Sequence, residues 1–266
     1  MDLELIQRTG IKAAFQSATI LRSHFGHISS VTHKGEIDLV TCADTQSEEA
    51  IIKIIKDRFP DHSILAEESG TDIKNPDYQW IIDPLDGTTN FAHHIHLYCI
   101  SIAFSFKGEV VVGVVLAPET GELFTAIKGK GATLNTKSIH VSKQTKISSS
   151  LLVTGFPYSF REHTQPIISR FTNCLSASQG VRRLGSAALD LCYVASGRFE
   201  AFWEEYLKPW DTAAGYLIAL EAGASVTNFS GNPYNVTHLE ILATNSHIHS
   251  QMLDLLQLRE YNEKKR

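Results

Sequence analysis

A mixed α+β fold is predicted for this chain of 266 residues, and three features carry that prediction. Residues 45–59 have a helical period, with Ile51, Ile54, Ile55 and Phe59 on one face and Pro60 as the stop. Tyr98–Phe106, a Lys107-Gly108 turn and Val110–Leu116 read as a β-hairpin. The second half then alternates short apolar runs with helical patterns. Such mixing excludes a simple helix bundle or a β-sandwich.

Taken in order, residues 3–25 read as a helix, although Gly10 and the Thr/Ser content lower its propensity. Ile37 to Thr41 suggests a strand, and the 45–59 helix follows. Strand signals then dominate to about residue 127. Trp80-Ile81-Ile82 runs like the end of a buried strand, which Pro84 should terminate because it cannot donate to a sheet. Gly129-Lys130-Gly131-Ala132 and Asn135 mark turns before a strand at Ile139–Val141. Leu151–Gly155 is apolar, Tyr158–Thr164 is loop-like, and helices are expected near 164–177 and 186–196. Phe199–Trp203 looks like a strand and 211–222 like a helix. Strands at Ser225–Thr227 and Glu240–Ala243 flank an Asn228–Pro233 loop, and 246–259 closes the chain as a helix. No repeats or low-complexity linkers interrupt this order. The whole chain, 1–266, is expected to form a single domain with subregions of about 1–145 (α+β) and 146–266 (α/β).

Composition narrows the function. The chain is 43% hydrophobic and 20% charged, ordinary for a soluble protein able to bury a sizeable core. Its formal charge of −5 argues against a general nucleic-acid partner. Met1-Asp2-Leu3-Glu4-Leu5 lacks a cationic start and a long apolar run, and no segment reaches the roughly 20 apolar residues of a membrane span. A cytoplasmic location is expected, with Cys42, Cys99, Cys174 and Cys192 as buried free thiols. His93, His94 and His96 crowd together without further spaced ligands, so no metal site is assigned to them. Phe199, Phe202, Trp203 and Trp210 read as core rather than a base-stacking platform. Lys128, Lys130 and Lys137 read as a solvated face.

The chemistry gathers on acids at the ends of elements. In Trp80-Ile81-Ile82-Asp83-Pro84-Leu85-Asp86-Gly87-Thr88-Thr89-Asn90-Phe91, two carboxylates three positions apart precede a group of turn and helix-start residues. Carboxylates at the mouth of a strand, facing the amides of a helix start, can hold cations beside an anion, as phosphate chemistry requires. Acids that merely cap a helix would use the same residue types. Three more segments repeat the pattern: Asp38–Asp44, Ser63-Ile64-Leu65-Ala66-Glu67-Glu68-Ser69-Gly70, and Pro209-Trp210-Asp211-Thr212-Ala213-Ala214-Gly215. Charged side chains are seldom buried unless paired or metal-bound, so four such segments favour a site. With no His/Cys ligand set among them, the oxygen donors suit Mg²⁺ better than Zn²⁺.

These segments resemble the two signatures of the inositol monophosphatase family of Mg²⁺-dependent, lithium-sensitive sugar-phosphate phosphatases. The likeness runs from the N-terminal helix to about Ser246. It implies a layered αβαβα sandwich with a more antiparallel N-terminal sheet, two or three Mg²⁺ per subunit, a homodimer and a small phosphate monoester as substrate. Residue by residue, the resemblance gives Glu67, Asp83 and the Leu85 carbonyl to a first metal. Asp83, Asp86 and Asp211 go to a second, and Glu67 to a weaker third, with Glu68 beside the site. Asp44 and Thr88 resemble the pair that activates the attacking water, and backbone N–H groups of Gly87 and Thr88 would grip phosphate. On the polyol side, Val181 to Asp190 resembles the substrate segment, with Gly185, Ser186 and Ala187 approaching hydroxyls. Glu204 matches an acid that binds inositol hydroxyls, and Arg182 a residue near the substrate. A helix start with a solvated Arg pair is the competing reading of that segment. Asp190 is expected to pair with a nearby Arg or amide and to take no catalytic part. The expected reaction is hydrolysis of a myo-inositol monophosphate by direct attack of metal-activated water. Fructose 1,6-bisphosphate, a 3′-phosphoadenosine nucleotide or histidinol phosphate are the rival substrates, and a fold-retaining regulatory binding protein the rival class.

Overall fold

Helices and sheets alternate as five layers in the computed structural model, which describes residues 1–26, 31–33, 39–157 and 160–258. In chain order the first half contains α1 (Leu3–His24), β1 (Val31–His33), β2 (Leu39–Thr41), α2 (Cys42–Arg58), β3 (His62–Ala66), β4 (Gly70–Asp72), β5 (Asn75–Asp86) and α3 (Thr88–Ala92). The strands β6 (Cys99–Phe106), β7 (Glu109–Ala117), β8 (Glu122–Ile127), β9 (Ala132–Leu134) and β10 (Lys137–Ser138) follow. The second half contains β11 (Leu151–Thr154), α4 (Thr164–Ala177), β12 (Gly180–Arg182), α5 (Ala187–Ala195), β13 (Ala201–Glu205) and α6 (Pro209–Glu221). It ends with β14 (Ser225–Thr227), β15 (Glu240–Thr244) and α7 (His249–Leu256).

Alternation along the strands builds the layers. Trp80 and Ile82 of β5 face Ile6, Ala14 and Leu21 of α1 and Ile51 and Ile55 of α2 in one core. Ile81 between them points the other way, into a second core with α5, α6 and the inner face of the smaller sheet. Leu152, Trp203 and Leu242 turn from that sheet's opposite face onto Cys174 of α4 and Met252 of α7. The larger sheet has the order β10-β9-β8-β7-β6-β5-β3-β4 and is antiparallel except between β3 and β5. The smaller one, β12-β11-β13-β15-β14, is parallel on one side and antiparallel on the other. The layering and the more antiparallel first sheet agree with the expected sandwich.

Several expectations need correction. Strand β5 does not stop at Pro84. Asp83 pairs with Ser101 and Asp86 with Cys99, so β5 carries one extra residue in a bulge where the missing N–H of Pro84 leaves no ladder bond unmade. Ile139–Val141 is not a strand, because the preceding turn residues instead build the β9–β10 edge hairpin. Helix α2 begins at Cys42 rather than residue 45, and α6 at Pro209 rather than 211, so Asp44 and Asp211 lie inside first turns. The 199–203 strand is displaced to Ala201–Glu205, α7 is shorter than expected, and β12 was not foreseen. Cys42 is only half-buried, whereas Cys99, Cys174 and Cys192 are buried; all four are free thiols. Ile37 and Asp38 of the expected strand, Tyr158 and Ser159 of the expected loop, and Arg259 of the last helix lie outside the described residues. Among the described residues no helix is long and apolar enough to cross a membrane.

Candidate active site

The pairing of β3 with β5 brings the first acids together. Ala66 stands opposite Ile82 in this parallel pair, so Glu67 and Asp83 leave the two strand ends side by side. The Glu67 N–H donates to the Ile82 carbonyl at 3.2 Å, tying the turn to β5. Asp83 is 2% exposed, and its Oδ1 accepts the Leu85 N–H at 3.0 Å across the bulge. The bulge then carries Asp86 toward the layer of α5 and α6. Asp86 Oδ2 accepts Ser186 Oγ and the Ala188 N–H, both at 2.7 Å, so this acid caps α5 rather than the helix that follows it in sequence. Asp211 Oδ2 accepts the Lys208 N–H at 2.6 Å within the first turn of α6. Ser101 Oγ donates to the neighbouring Trp210 carbonyl at 3.2 Å, fastening that turn to the large sheet.

Around these acids lies a cavity of about 520 Å³, lined by Glu67, Asp83, Asp86, Thr88 and Asp211 among others. Leu85, Gly87, Gly185, Ser186, Ala187 and Glu204 also line it. Asp44 and Thr88 meet beside it, both buried, with Thr88 Oγ1 3.2 Å from Asp44 Oδ1 and 3.0 Å from the Leu85 carbonyl. The Thr88 proton therefore has two acceptors. At Gly87, φ is +100°, and a Cβ would stand 3.0 Å from the Leu97 carbonyl and 3.2 Å from that of Gly185. Only glycine allows that turn and that approach of two backbones.

The electrostatics follow from crowding. Burial raises the Asp83 carboxyl well above the usual range, and the charges of Glu67, Asp86 and Asp211 push it further. Burial likewise raises Asp86, against the bonds from Ser186 and Ala188. Asp211 is raised well above its ordinary value by burial, with the Lys208 N–H opposing and Asp86 and Glu67 adding repulsion. Glu204 is raised by burial and by Asp211, with Arg183 opposing.

Two expectations are not met here. Arg182 is exposed, does not line the cavity, and bonds the Val181 carbonyl at 3.2 Å; Arg183 lines the cavity instead. As the last residue of β12, Arg182 is held by the ladder, and the chain turns inward one position later. Asp190 is buried, yet neither of its oxygens has a hydrogen-bond partner among the described residues, so the expected Arg or amide bond is not made. Phe199, Phe202 and Trp203 are buried, and half-buried Trp210 packs against the core while also lining the cavity. Glu68 does not line the cavity, and its N–H is held by Glu48 at 2.8 Å.

Other expected surface features have their own partners. His96 bonds Glu119 at 2.9 Å, and His94 packs edge-on against Phe25. Lys128 pairs with Glu109, Lys130 with Glu4, and Lys137 is exposed.

Sequence reasoning also missed several supports. Glu48, 3% exposed, accepts the N–H groups of both Glu68 and Ser69 at 2.8 Å, holding the turn that presents Glu67. Its signal was an acid on the buried stripe Asp44, Ser47, Glu48, Ile51 and Ile55. Asn90 Nδ2 donates to the Leu97 and Leu184 carbonyls at 2.7 and 2.8 Å, bridging the loop after α3 to the loop before α5. At Gly155 a Cβ would overlap the Glu204 carboxylate, so the absent side chain makes room for that acid.

The donor set is all oxygen: carboxylates from Glu67, Asp83, Asp86 and Asp211, plus the Leu85 carbonyl. Burial raises Asp83 and Asp211 and the charges of neighbouring acids add to it; a hard cation relieves that repulsion, so these residues fit Mg²⁺. Among the described residues no three His, Cys, Asp or Glu close up far enough to hold an ion unaided. Asp83, Asp86 and Asp211 are each turned to a backbone N–H.

The family model described as the inositol monophosphatase family matches residues 2–261. An inositol-1-monophosphatase of Synechocystis sp. is 43% identical over 258 residues, covering 96% of this chain and 90% of that protein. The Nus factor SuhB of Pasteurella multocida is 40% identical over 250 residues, covering 93% and 94% of the two chains. The solved inositol monophosphatase of Anabaena (Nostoc) sp. PCC 7120 superposes with a TM-score of 0.88 at 41% identity, covering 96% of each chain. The chain belongs to the inositol monophosphatase family.

Proposed function

We propose that this member of a phosphatase family hydrolyses a myo-inositol monophosphate to inositol and phosphate, with Mg²⁺, by direct attack of water. The observation that carries the reading is the meeting of the buried Asp44–Thr88 pair with Glu67, Asp83, Asp86 and Asp211 at one cavity.

Glu67, Asp83 and the Leu85 carbonyl would hold one Mg²⁺, and Asp83, Asp86 and Asp211 a second, with Glu67 available to a third. Bound there, the ions lower the pKa of water and offset charge on the leaving oxygen. The protein's own groups do the rest. Thr88 Oγ1 takes a proton from the attacking water as its own passes to Asp44, whose carboxylate lies directly behind it. Backbone N–H groups of Gly87 and Thr88 receive phosphate oxygens. Gly185 and Ala187 admit the ring closely, while the Ser186 hydroxyl is already engaged by Asp86. Glu204, buried beside Gly155, takes a ring hydroxyl. The cavity draws walls from both halves of the chain, which supports treating 1–266 as one catalytic unit, expected to be a cytoplasmic homodimer.

Phosphate release from a substrate panel under Mg²⁺ tests this. Inositol phosphates should be turned over faster than fructose 1,6-bisphosphate, a 3′-phosphoadenosine nucleotide or histidinol phosphate; clear preference for one of those would reassign the substrate. Chelation should abolish turnover and lithium should inhibit it. Gel filtration with light scattering should give a dimer.

A second reading comes from the Pasteurella relative, whose name is a Nus factor. A regulatory role on the same fold would persist in an Asp83→Asn variant that has lost hydrolysis.

A further inference from the structure

We infer that Asp190 is a second hydroxyl-reading acid of the cavity, a specificity-determining residue that favours phosphate esters of polyols over those of simple alcohols. This rests on the proposed reading of the cavity as a polyol-phosphate site.

Asp190 lies in the first turn of α5 and is 1% exposed. Other buried acids here are engaged: Asp83 by the Leu85 N–H, Glu48 by two backbone N–H groups, and Glu200 by the Leu151 N–H. Asp190 has both carboxyl oxygens fully buried and unpartnered among the described residues. Its helix gives no packing reason for an acid, since Ala188, Leu189, Leu191, Cys192 and Tyr193 around it are buried and apolar or aromatic. A leucine would fit such a helix without the cost of desolvating a carboxylate. Buried polar groups left without partners in a native protein call for an explanation.

The position supplies one. Asp190 forms part of the cavity wall together with Glu204 from β13 and Arg183 from the loop after β12. Its carboxyl is held well above the ordinary range by burial and by the charges of Glu204 and Asp86, with Arg183 opposing. Glu204 is raised in the same sense. A carboxyl in that state either accepts a hydroxyl proton or donates its own, so two such acids on separate elements match two hydroxyls of one ring. A site built to bond a substrate hydroxyl discriminates strongly against an analogue lacking it, because its buried polar group then stays unpaired. An ester of a simple alcohol leaves Asp190 in that condition, and a polyol relieves it.

The test compares Asp190→Asn and Asp190→Leu with the wild-type full chain in Mg²⁺, using myo-inositol 1-phosphate and hydroxyl-free phenyl phosphate. The Leu variant should lose roughly tenfold or more in kcat/KM on the inositol ester and stay within about twofold on phenyl phosphate, with Asn between. Its melting temperature without substrate should equal or exceed the wild type's, since an unpartnered acid has been removed. Equal losses on both substrates, unchanged turnover of the inositol ester, or a fall in melting temperature for both variants would each overturn the inference. A wild-type enzyme that cleaves phenyl phosphate and no polyol phosphate would instead overturn the substrate reading, before either variant is compared.

Discussion

Replacing Glu48 by Gln tests whether the turn after β3 is what presents Glu67. The two Glu48 oxygens accept separate N–H groups, from Glu68 and Ser69, each at 2.8 Å. A glutamine keeps one acceptor and turns a second donor toward the other N–H. One charge-assisted bond is lost and a buried donor is left unmet, which together should cost roughly 2–4 kcal/mol. At the size of this chain, that corresponds to a fall in melting temperature of roughly 5–15 °C. If the turn also aims Glu67, the Mg²⁺ concentration for half-maximal phosphate release should rise roughly tenfold, as when a group supporting a metal ligand is removed. Urea unfolding gives the first quantity and a Mg²⁺ titration of hydrolysis the second. Lost stability with an unchanged Mg²⁺ requirement would show that Glu48 braces the fold but does not aim Glu67. No change in either would refute the bonding itself.

Thr88→Val and Asp44→Asn should each lower kcat by roughly 10²–10³-fold, and the double variant should be no worse than the poorer single one, because the pair moves one proton. Multiplying losses in the double variant would show that the two residues act separately. Gly155→Ala should raise KM for the inositol ester, since the new methyl displaces the Glu204 carboxylate, while phenyl phosphate turnover holds; equal effects on both substrates would rule this out. The pH dependence of the Asp190→Leu variant has a fixed sign. Asp190 has a raised pKa in the folded chain, so its cost to stability is absent below the unfolded value of about 4 and grows as pH rises toward the folded one. The urea midpoint of the variant should therefore exceed the wild type's most at high pH, and a gain that grew on acidification would contradict this.

The cavity acids were legible because the sequence places them at the ends of recognisable elements, and the structure brings those ends to one cavity. What could not be read was how each acid is held. Pro84 reads as a terminator because its missing N–H breaks a ladder, and nothing local announces a bulge that makes the N–H unnecessary. Asp86 reads as a cap for the helix it precedes, but its partners are about a hundred positions away, at the start of α5. The Arg182-Arg183 pair shows the same limit at the scale of one residue. Either arginine satisfies the pattern, and only the end of the β12 ladder decides that the second reaches the cavity. The layers were beyond periodicity too. The unbroken apolar run Trp80, Ile81 and Ile82 says that both faces of β5 are buried, and says nothing of which helices bury them.

The anchoring bonds explain why such a collection of anions folds at all. Asp83, Asp86 and Asp211 each give one oxygen to a backbone N–H, from Leu85, Ala188 and Lys208 respectively. These bonds fix direction and lower the cost of burying charge, but burial keeps all three pKa values raised, with repulsion from neighbouring acids adding to it at Asp83 and Asp211. Raised pKa values favour the protonated carboxyls over the ionised ones. Ligation requires the ionised carboxylates, so uptake of a divalent ion is coupled to proton release. Apparent Mg²⁺ affinity should accordingly strengthen as pH rises through the range where these acids ionise.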